Sequence, residues 1–527
     1  MLIPLAAAGM GIALVAGAAS AAPREERLSK QERALEGALR AHIEVLASDA
    51  FKGREPGTAG ETMTLRYLAQ EWFRIGLVSG TNDPGNPWFA PVEVLEREPA
   101  HSRATFARNR RTIAMPAQGI IALTSGQRQL IENAPLLFVG HATGALPPKS
   151  ELAGRIAVLL DSLPPEADPA ASRDRQGRLI EAGASAVLTV LDGERGLAEV
   201  TARRNRPGYA LAGESLGGDL EAFAERDYAA RLLGTEFEPL LKTAAEQGFV
   251  SRPLALTGTI EATTRETRIS THNLLGRLPG RFPGRGAVLL VAHWDHFGIC
   301  AEPPAEDLIC NGAVDNASGI AVLTELGRLL ARGKRLDRDV YFLATTAEEL
   351  GLLGARAFAE NPPLPLDSIV AAFNIDSPAL ASPGRPLTVI GRGLTPLDRD
   401  IARVARAERR RIEQAALAQD FLRRQDGWAL LQHDIPAVMV TSAYSDLAAI
   451  ERFMEYAYHR PGDEAGPQLK LDGAAQDALF HAALVRWFGT LKSYPAKRLE
   501  TRTQSLVRLG ASSPPSPATS SRVPGYK

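Results

Sequence analysis

Apolar runs that stop at acidic or histidine side chains recur through the second half of the chain. Val288–Ala292 is one such run, ended by His293-Trp294-Asp295. A short unbroken apolar run between turn formers predicts a strand buried on both faces. His293 and Asp295 are two apart, so on extended backbone they point the same way. Asp315 comes just before Asn316-Ala317-Ser318-Gly319, after which Ile320, Leu323, Leu326, Leu329 and Leu330 recur at helical spacing. Asp339–Ala344 reads as the next strand and delivers Glu348 and Glu349 to the head of another helix. Ile369–Asn374 is a strand ending near Asp376, and Leu387–Ile390 and Ala437–Val440 are further strands. A basic helix is predicted from Asp398 to about Glu413, and a long closing helix over Ala474–Leu491. Alternating strands and helices predict an α/β fold, a mixed central β-sheet flanked by helices. In such sheets reactive groups gather at the carboxyl ends of the strands.

The first half has a different texture. Leu28–Leu46 and Thr62–Ile75 carry helical periodicity, with a Gly-rich turn over Asp49–Gly60 between them. From about Asn82 the pattern predicts turns and short strands. Leu136–Val139, Ile156–Leu160 and Ala186–Val190 read as strands, and Leu179–Ala182 as a helix ended by Gly183. This middle block carries few residues that do chemistry and predicts an inserted, smaller β-rich domain. Asn273–Gly280 then restarts the α/β pattern with an edge strand and turn. The division expected is a signal peptide over 1–21, the first part of the main domain over 22–110, the insertion over 111–262 and the rest of the main domain over 263–497. The Ser/Pro/Thr-rich stretch 498–527 lacks apolar periodicity and is expected to be disordered.

Composition narrows the function. The chain has 527 residues, 45% of them hydrophobic and 23% charged, with a net charge of −1. That is ordinary for a globular protein and gives no electrostatic case for nucleic acid or an anionic membrane. Residues 1–22 hold no charged side chain, Leu5–Ala19 is apolar and Ala19-Ser20-Ala21 fits the small-x-small rule for signal cleavage. Export to a periplasmic or secreted location is expected, without stable membrane association after cleavage; the rival is an uncleaved amino-terminal anchor. Cys300 and Cys310 are the two cysteines. In an exported chain a nearby pair reads as a disulfide, stabilising the short loop by about 2–3 kcal/mol. The competing reading is a pair of thiolate metal ligands.

His293, Asp315, Glu349, Asp376 and His459 make one consistent metal-ligating set. Two imidazoles with three carboxylates suit zinc. Three carboxylates, two divalent cations and one hydroxide sum to a neutral centre, which favours two Zn2+ per chain, a pair able to activate that hydroxide and polarise a carbonyl together. Glu348, beside the ligand Glu349, is the natural general base. Asp295 is expected to accept the second N–H of His293 and fix its tautomer. Singly, each residue has an ordinary explanation: Asp315 as a helix cap, the Glu pair as dipole stabilisation, Asp376 before Ser-Pro as a turn former. Jointly, after successive strands, they do not.

The stretches VAHWDHFG, NGAVDNASG, TTAEELGLLGA, FNID and YHRPGDE resemble the co-catalytic di-zinc aminopeptidases, metallopeptidase family twenty-eight. Asp49–Gly60 resembles that family's amino-terminal segment, and Pro135–Leu160 part of the protease-associated domain often inserted in it. The resemblance implies that Asp315 bridges both zincs, that His293 and Asp376 bind one ion and that Glu349 and His459 bind the other. It also implies a cis peptide at Asp315–Asn316. The family's Ser-Asp-His-x-x-Phe is replaced here by Gln425-Asp426-Gly427-Trp428-Ala429-Leu430, which keeps only the Asp and puts the pocket wall in question. Trp428 is a candidate for that wall or an ordinary core or surface residue. His296 and His433 are expected to be non-ligands. The function expected is an exported aminopeptidase acting on peptides with a free amino terminus. A glutaminyl cyclase-like aminoacyltransferase on the same fold, or a catalytically dead binding protein, is the alternative.

Overall fold

The computed structural model describes residues 28–495 except 165–166, 168–173, 215–218, 247 and 415–419. The expected signal peptide (1–21) and the tail (498–527) lie outside the described residues.

The strand Ala287–His293 is the axis of the fold. It pairs in parallel with Asp339–Thr345 on one side and Ile369–Asn374 on the other. Ile369–Asn374 pairs in parallel with Ala437–Thr441, which pairs antiparallel with Leu387–Ile390. Asp339–Thr345 pairs antiparallel with the end of a very long strand, Arg252–Leu278. The sheet is therefore mixed, as expected. His293, Thr345, Asn374 and Thr441 all lie at the same end of it.

Both faces are covered. Helices Lys30–Leu46, Ala59–Ile75, Ser318–Ala331 and Asp472–Phe488 enclose one core with Val288, Leu290, Phe342 and Phe373. Leu35, Leu39, Ile43 and Leu46 form the buried stripe of the first helix, whose start is fixed by a reciprocal Ser29–Glu32 capping box. Gly76 ends the second at φ 93°, a conformation open to glycine. On the opposite face Leu289, Val291, Leu343 and Met439 pack with Phe358, Leu430 and Leu431. Among the described residues no helix is long and apolar enough to cross a membrane.

A second lobe has its own core, built on Phe138, Ile156, Val158, Leu188, Ala222 and Leu240. Its strands Arg128–Gly140, Ile156–Leu160, Ala186–Leu191 and Leu220–Glu225 run parallel, with Ile120–Thr124 antiparallel at the edge. The two lobes share one sheet through a ribbon. Phe89–Arg108 and Arg252–Leu278 pair antiparallel from Phe89↔Leu274 to Ala107↔Thr257, with one irregularity at Thr263/Thr264.

Four expectations need correction. The turns and short strands read from Asn82 include a single strand of 20 residues, Phe89–Arg108, whose partly exposed, alternating pattern hides its length. The block read as β-rich also carries helices, Arg175–Glu181, Arg226–Leu233 and Phe237–Ala244 among them. Asn273–Leu278 is not an edge, because its tip pairs with Val78–Ser79 on the side away from Asp339–Thr345. The basic helix from Asp398 stops at Ala407; Arg409 turns at φ 55° and Ile412–Glu413 joins the sheet.

Candidate metal centre

The predicted site residues converge at the carboxyl end of the sheet. His293 is the last residue of its strand, and Asp376 lies two residues beyond Asn374. Asp315 sits in the turn before Ser318–Ala331, where the Asp315–Asn316 peptide is cis. Glu348 and Glu349 do not head a helix. They lie in a turn between Thr345 and the helix Leu353–Glu360, flanked by Ala347 and Leu352 at φ 50° and 61°. His459, itself at φ 55°, follows the helix Leu447–Tyr456.

The Asp315 carboxylate is central. Its Oδ1 lies 3.3 Å from His293 Nε2 and its Oδ2 lies 3.4 Å from His459 Nε2. On the His293 side, Asp376 Oδ1 and Glu348 Oε2 stand 3.8 and 4.0 Å from the same nitrogen. On the other side, Glu349 Oε2 stands 3.0 Å from His459 Nε2. Both Nε2 atoms are buried and neither makes a hydrogen bond with proper geometry.

The loops that carry these side chains are tied from behind. The Asp463 carboxylate accepts the backbone N–H groups of Val314 and Asp315 at 2.8 and 3.0 Å. The Asn316 amide accepts from Gly319 and Ser377 and donates to the Ile375 carbonyl, joining the Asp315 and Asp376 loops. Asp295 differs from expectation. His293 Nδ1 is 3.2 Å from the Asp295 carbonyl oxygen but 3.8 Å from its carboxylate. That carboxylate instead accepts the N–H groups of Glu348 and Glu349, at 3.1 and 3.4 Å. Arg54, from the stretch read as a Gly-rich turn, is 1% exposed. Its guanidinium donates to the carbonyls of Leu46, Trp294, Asn311 and Gly312, tying the first helix to both loops that carry ligands. Cys300 and Cys310 form a disulfide in the segment between those loops, with Cα atoms 5.7 Å apart.

Burial and crowding set the electrostatics. Burial opposes protonation of His293, yet Glu348 and the Asp315 and Asp376 carboxylates hold it well above the usual imidazole value. His459 is likewise pushed down by burial and up by Glu349 and Asp315, ending at about 9. Burial, then the charges of Glu349, Asp426 and Asp376, pushes Glu348 well above the carboxylate range despite His293. Desolvation lifts Asp463 to about 6 and Asp426 to about 6. Arg54 drops to about 10 through burial, against the pull of Asp463, Asp295, Asp315 and Glu349, and so stays charged at neutral pH. More carboxylate than cation is buried here, and a divalent ion is what such a cluster attracts.

The donor set fits metal. In two groups, His293 with Asp315 and Glu349, and His293 with Glu348 and Asp376, one donor atom per residue lies within 4.8 Å of the others. Unpaired, buried imidazole nitrogens facing carboxylate oxygens are how a zinc site looks from the protein side. His296, expected to be a non-ligand, stands beside the cluster: its Nδ1 is 2.7 Å from Glu349 Oε1. Tyr458 stacks on His459 with ring centres 3.6 Å apart, and its hydroxyl accepts from Arg424 at 3.0 Å. Asp426 accepts from the Thr345 hydroxyl at the strand end. Trp428 is buried in the core, with the Arg423 guanidinium over its ring, and His433 is exposed. Arg54 and Asp463 carry no signal in the sequence beyond sitting inside motif stretches.

Comparison with known proteins agrees with this geometry. The profile of Peptidase family M28 matches residues 273–482, the stretch that holds all five candidate ligands. Aminopeptidase YwaD of Bacillus subtilis is 32% identical over 111 residues, 20% of this chain and 22% of that one. A vacuolar membrane protease of Pyricularia oryzae is 33% identical over 87 residues, 16% of this chain and 8% of that one. The matched stretches thus span less than a quarter of these curated relatives. Among solved structures, an aminopeptidase from Aneurinibacillus sp. strain AM-1 aligns over 90% of this chain and 97% of its own, with 17% identity and a TM-score of 0.48. Residues 273–482, the stretch that builds the metal centre, are thus similar to Peptidase family M28.

Proposed function

We propose that the protein is an exported di-zinc aminopeptidase that removes amino-terminal residues from peptides. The observation that carries this reading is the Asp315 carboxylate, each oxygen of which faces one imidazole. His293 and Asp376 would hold one zinc, Glu349 and His459 the other, with Asp315 shared. Bound zinc would supply the acidity that makes water a nucleophile at neutral pH and would polarise the scissile carbonyl. The rest falls to the chain. Glu348 takes a proton from the attacking water and returns it to the leaving amine. Asp295 fixes Glu348 and Glu349 by their backbone, and Asp463 does the same for Asp315. A free amino terminus would bind beside the metals and their carboxylates, which favours an aminopeptidase over a carboxypeptidase. The Cys300–Cys310 disulfide fits an oxidising compartment and so supports export. The second lobe corresponds in this reading to an inserted, protease-associated-like domain over 111–262.

The test is hydrolysis of aminoacyl chromogenic substrates, short peptides and an amino-terminal glutaminyl peptide, with zinc and after chelation. Chelator-sensitive release of single amino-terminal residues is the expected result. Cyclisation of the glutaminyl peptide without hydrolysis would move the assignment to a glutaminyl cyclase-like transferase. Full zinc loading with no turnover of any substrate would leave a binding protein.

A further inference from the structure

The turn that carries Glu348 and Glu349 is gripped from two sides. On the inside the Asp295 carboxylate holds both backbone N–H groups. On the outside the grip comes from the other lobe. Its chain returns to the ribbon as the short strand Gly208–Leu211, paired antiparallel with Val94–Arg97. This sets Leu211 in a buried apolar cluster with Ala347 and Leu353, which flank the two glutamates, and with Val92 and Val94 of the ribbon. Three residues on, Glu214 forms an ion pair with Arg356 of the helix that follows the turn, both side chains about a quarter exposed. Glu214 also accepts the Leu211 N–H at 3.2 Å, and Ala212 donates to the Glu93 carbonyl at 2.8 Å. The turn needs such a grip. Ala347 and Leu352 both have positive φ, which residues with side chains hold only where their surroundings impose it.

We propose that Leu211 and Glu214 of the second lobe are positioning residues for the catalytic turn, so that the lobe is a working part of the active site. This rests on the reading of Glu348 as general base and Glu349 as ligand, and it adds what keeps the two in place. Removing the strut frees the turn to relax its strained residues, and Glu348 then spends less time at the distance a proton transfer requires.

Leu211→Ala and Glu214→Ala would be made in the full chain, with Leu188→Ala in the second lobe's own core as control. Amide hydrogen exchange over residues 347–353 and steady-state kinetics would be read together. Both strut variants are expected to raise exchange in the turn and to lower kcat by about tenfold, with KM and zinc content little changed. Leu188→Ala should loosen its own strands and leave the turn protected. Charge reversal of the pair, Glu214→Arg with Arg356→Glu, should restore protection lost in Glu214→Ala. Unchanged exchange in the turn of both strut variants, or equal loosening by Leu188→Ala, would overturn the proposal. The exchange result does not depend on turnover. If no substrate is cleaved at all, the strut can still be established while the peptidase reading fails.

Discussion

Arg54 in the metal-centre lobe and Arg175 in the second lobe perform the same mechanical task with opposite consequences. Each is buried and spends its donors on backbone carbonyls where strands and helices end. Arg54 collects Leu46, Trp294, Asn311 and Gly312; Arg175 collects His141, Leu160, Asp161 and Ser162. Around Arg175 the nearby carboxylates are spoken for: Asp161 pairs with Arg195, and Asp192 accepts from the Ser162 N–H and hydroxyl. Around Arg54 they are not, because Asp315 and Glu349 share His293, His296 and His459 with Glu348 and Asp376. A tied bundle of strand-end loops is therefore only a scaffold. It becomes a site where the loops bring more buried charge than the chain itself neutralises.

The largest break in this comparison comes from the surplus charge itself. Glu348→Gln should lower hydrolysis about 10²–10⁴-fold while zinc content stays at the wild-type level. Zinc loss in that variant would make Glu348 a ligand rather than a base. Next come the two arginines. Arg54→Met strands several buried carbonyls and removes the cation facing four carboxylates, at a cost of about 3–5 kcal/mol in chemical denaturation. Arg175→Met should cost about 2–4 kcal/mol but leave zinc affinity and activity per folded molecule intact. Equal loss of zinc affinity in both would erase the distinction between the lobes. Zinc titration sharpens it further. At a thousand times Kd, zinc should stabilise its own lobe by about 4 kcal/mol and leave amide protection in Ile156–Leu160 and Ala186–Leu191 unmoved. The smallest effect concerns His481, buried against the Phe373 ring with Nδ1 on the Asp477 carbonyl. Burial pushes its imidazole below the ordinary 6.5. As pH falls below that value the unfolded chain takes up a proton that the folded chain refuses, so stability falls. One proton contributes at most about 1.4 kcal/mol per pH unit. His481→Phe should flatten the urea midpoint between pH 7 and pH 5 by that share.

The same contrast explains what could be read from the sequence. The strands around His293, Glu349 and Asp376 are fully buried, so their apolar runs are unbroken and their polar stops conspicuous. The five candidate ligands were legible because each follows such a stop or sits in a turn motif. Arg54, Asp463 and Asp295 act on backbone atoms rather than on one another, and nothing in a residue's identity says which carbonyl or N–H it will meet. His296 sits one residue from Asp295 but points at Glu349, a direction set by the loop after the strand and not by strand periodicity. The ribbon was illegible for another reason. Its strands are partly exposed on both faces, so Phe89–Arg108 and much of Arg252–Leu278 lack the contrast that betrays a buried strand.

That ribbon also dictates a timetable. Trp72, wholly buried, donates its indole N–H to the Thr324 hydroxyl 252 residues further along the chain. Between them lies the entire second lobe. During synthesis the helices Lys30–Leu46 and Ala59–Ile75 leave the ribosome long before the strands they cover, with Leu39, Ile43, Leu68 and Trp72 still unburied. Closing so long a loop adds little entropy, since the cost grows only with the logarithm of its length. The wait is what matters. At about 5–20 residues per second, those apolar stripes stay exposed for roughly 10–60 seconds. The second lobe, local in its contacts, is the part that can be finished first, while the amino-terminal helices wait for the strands they cover.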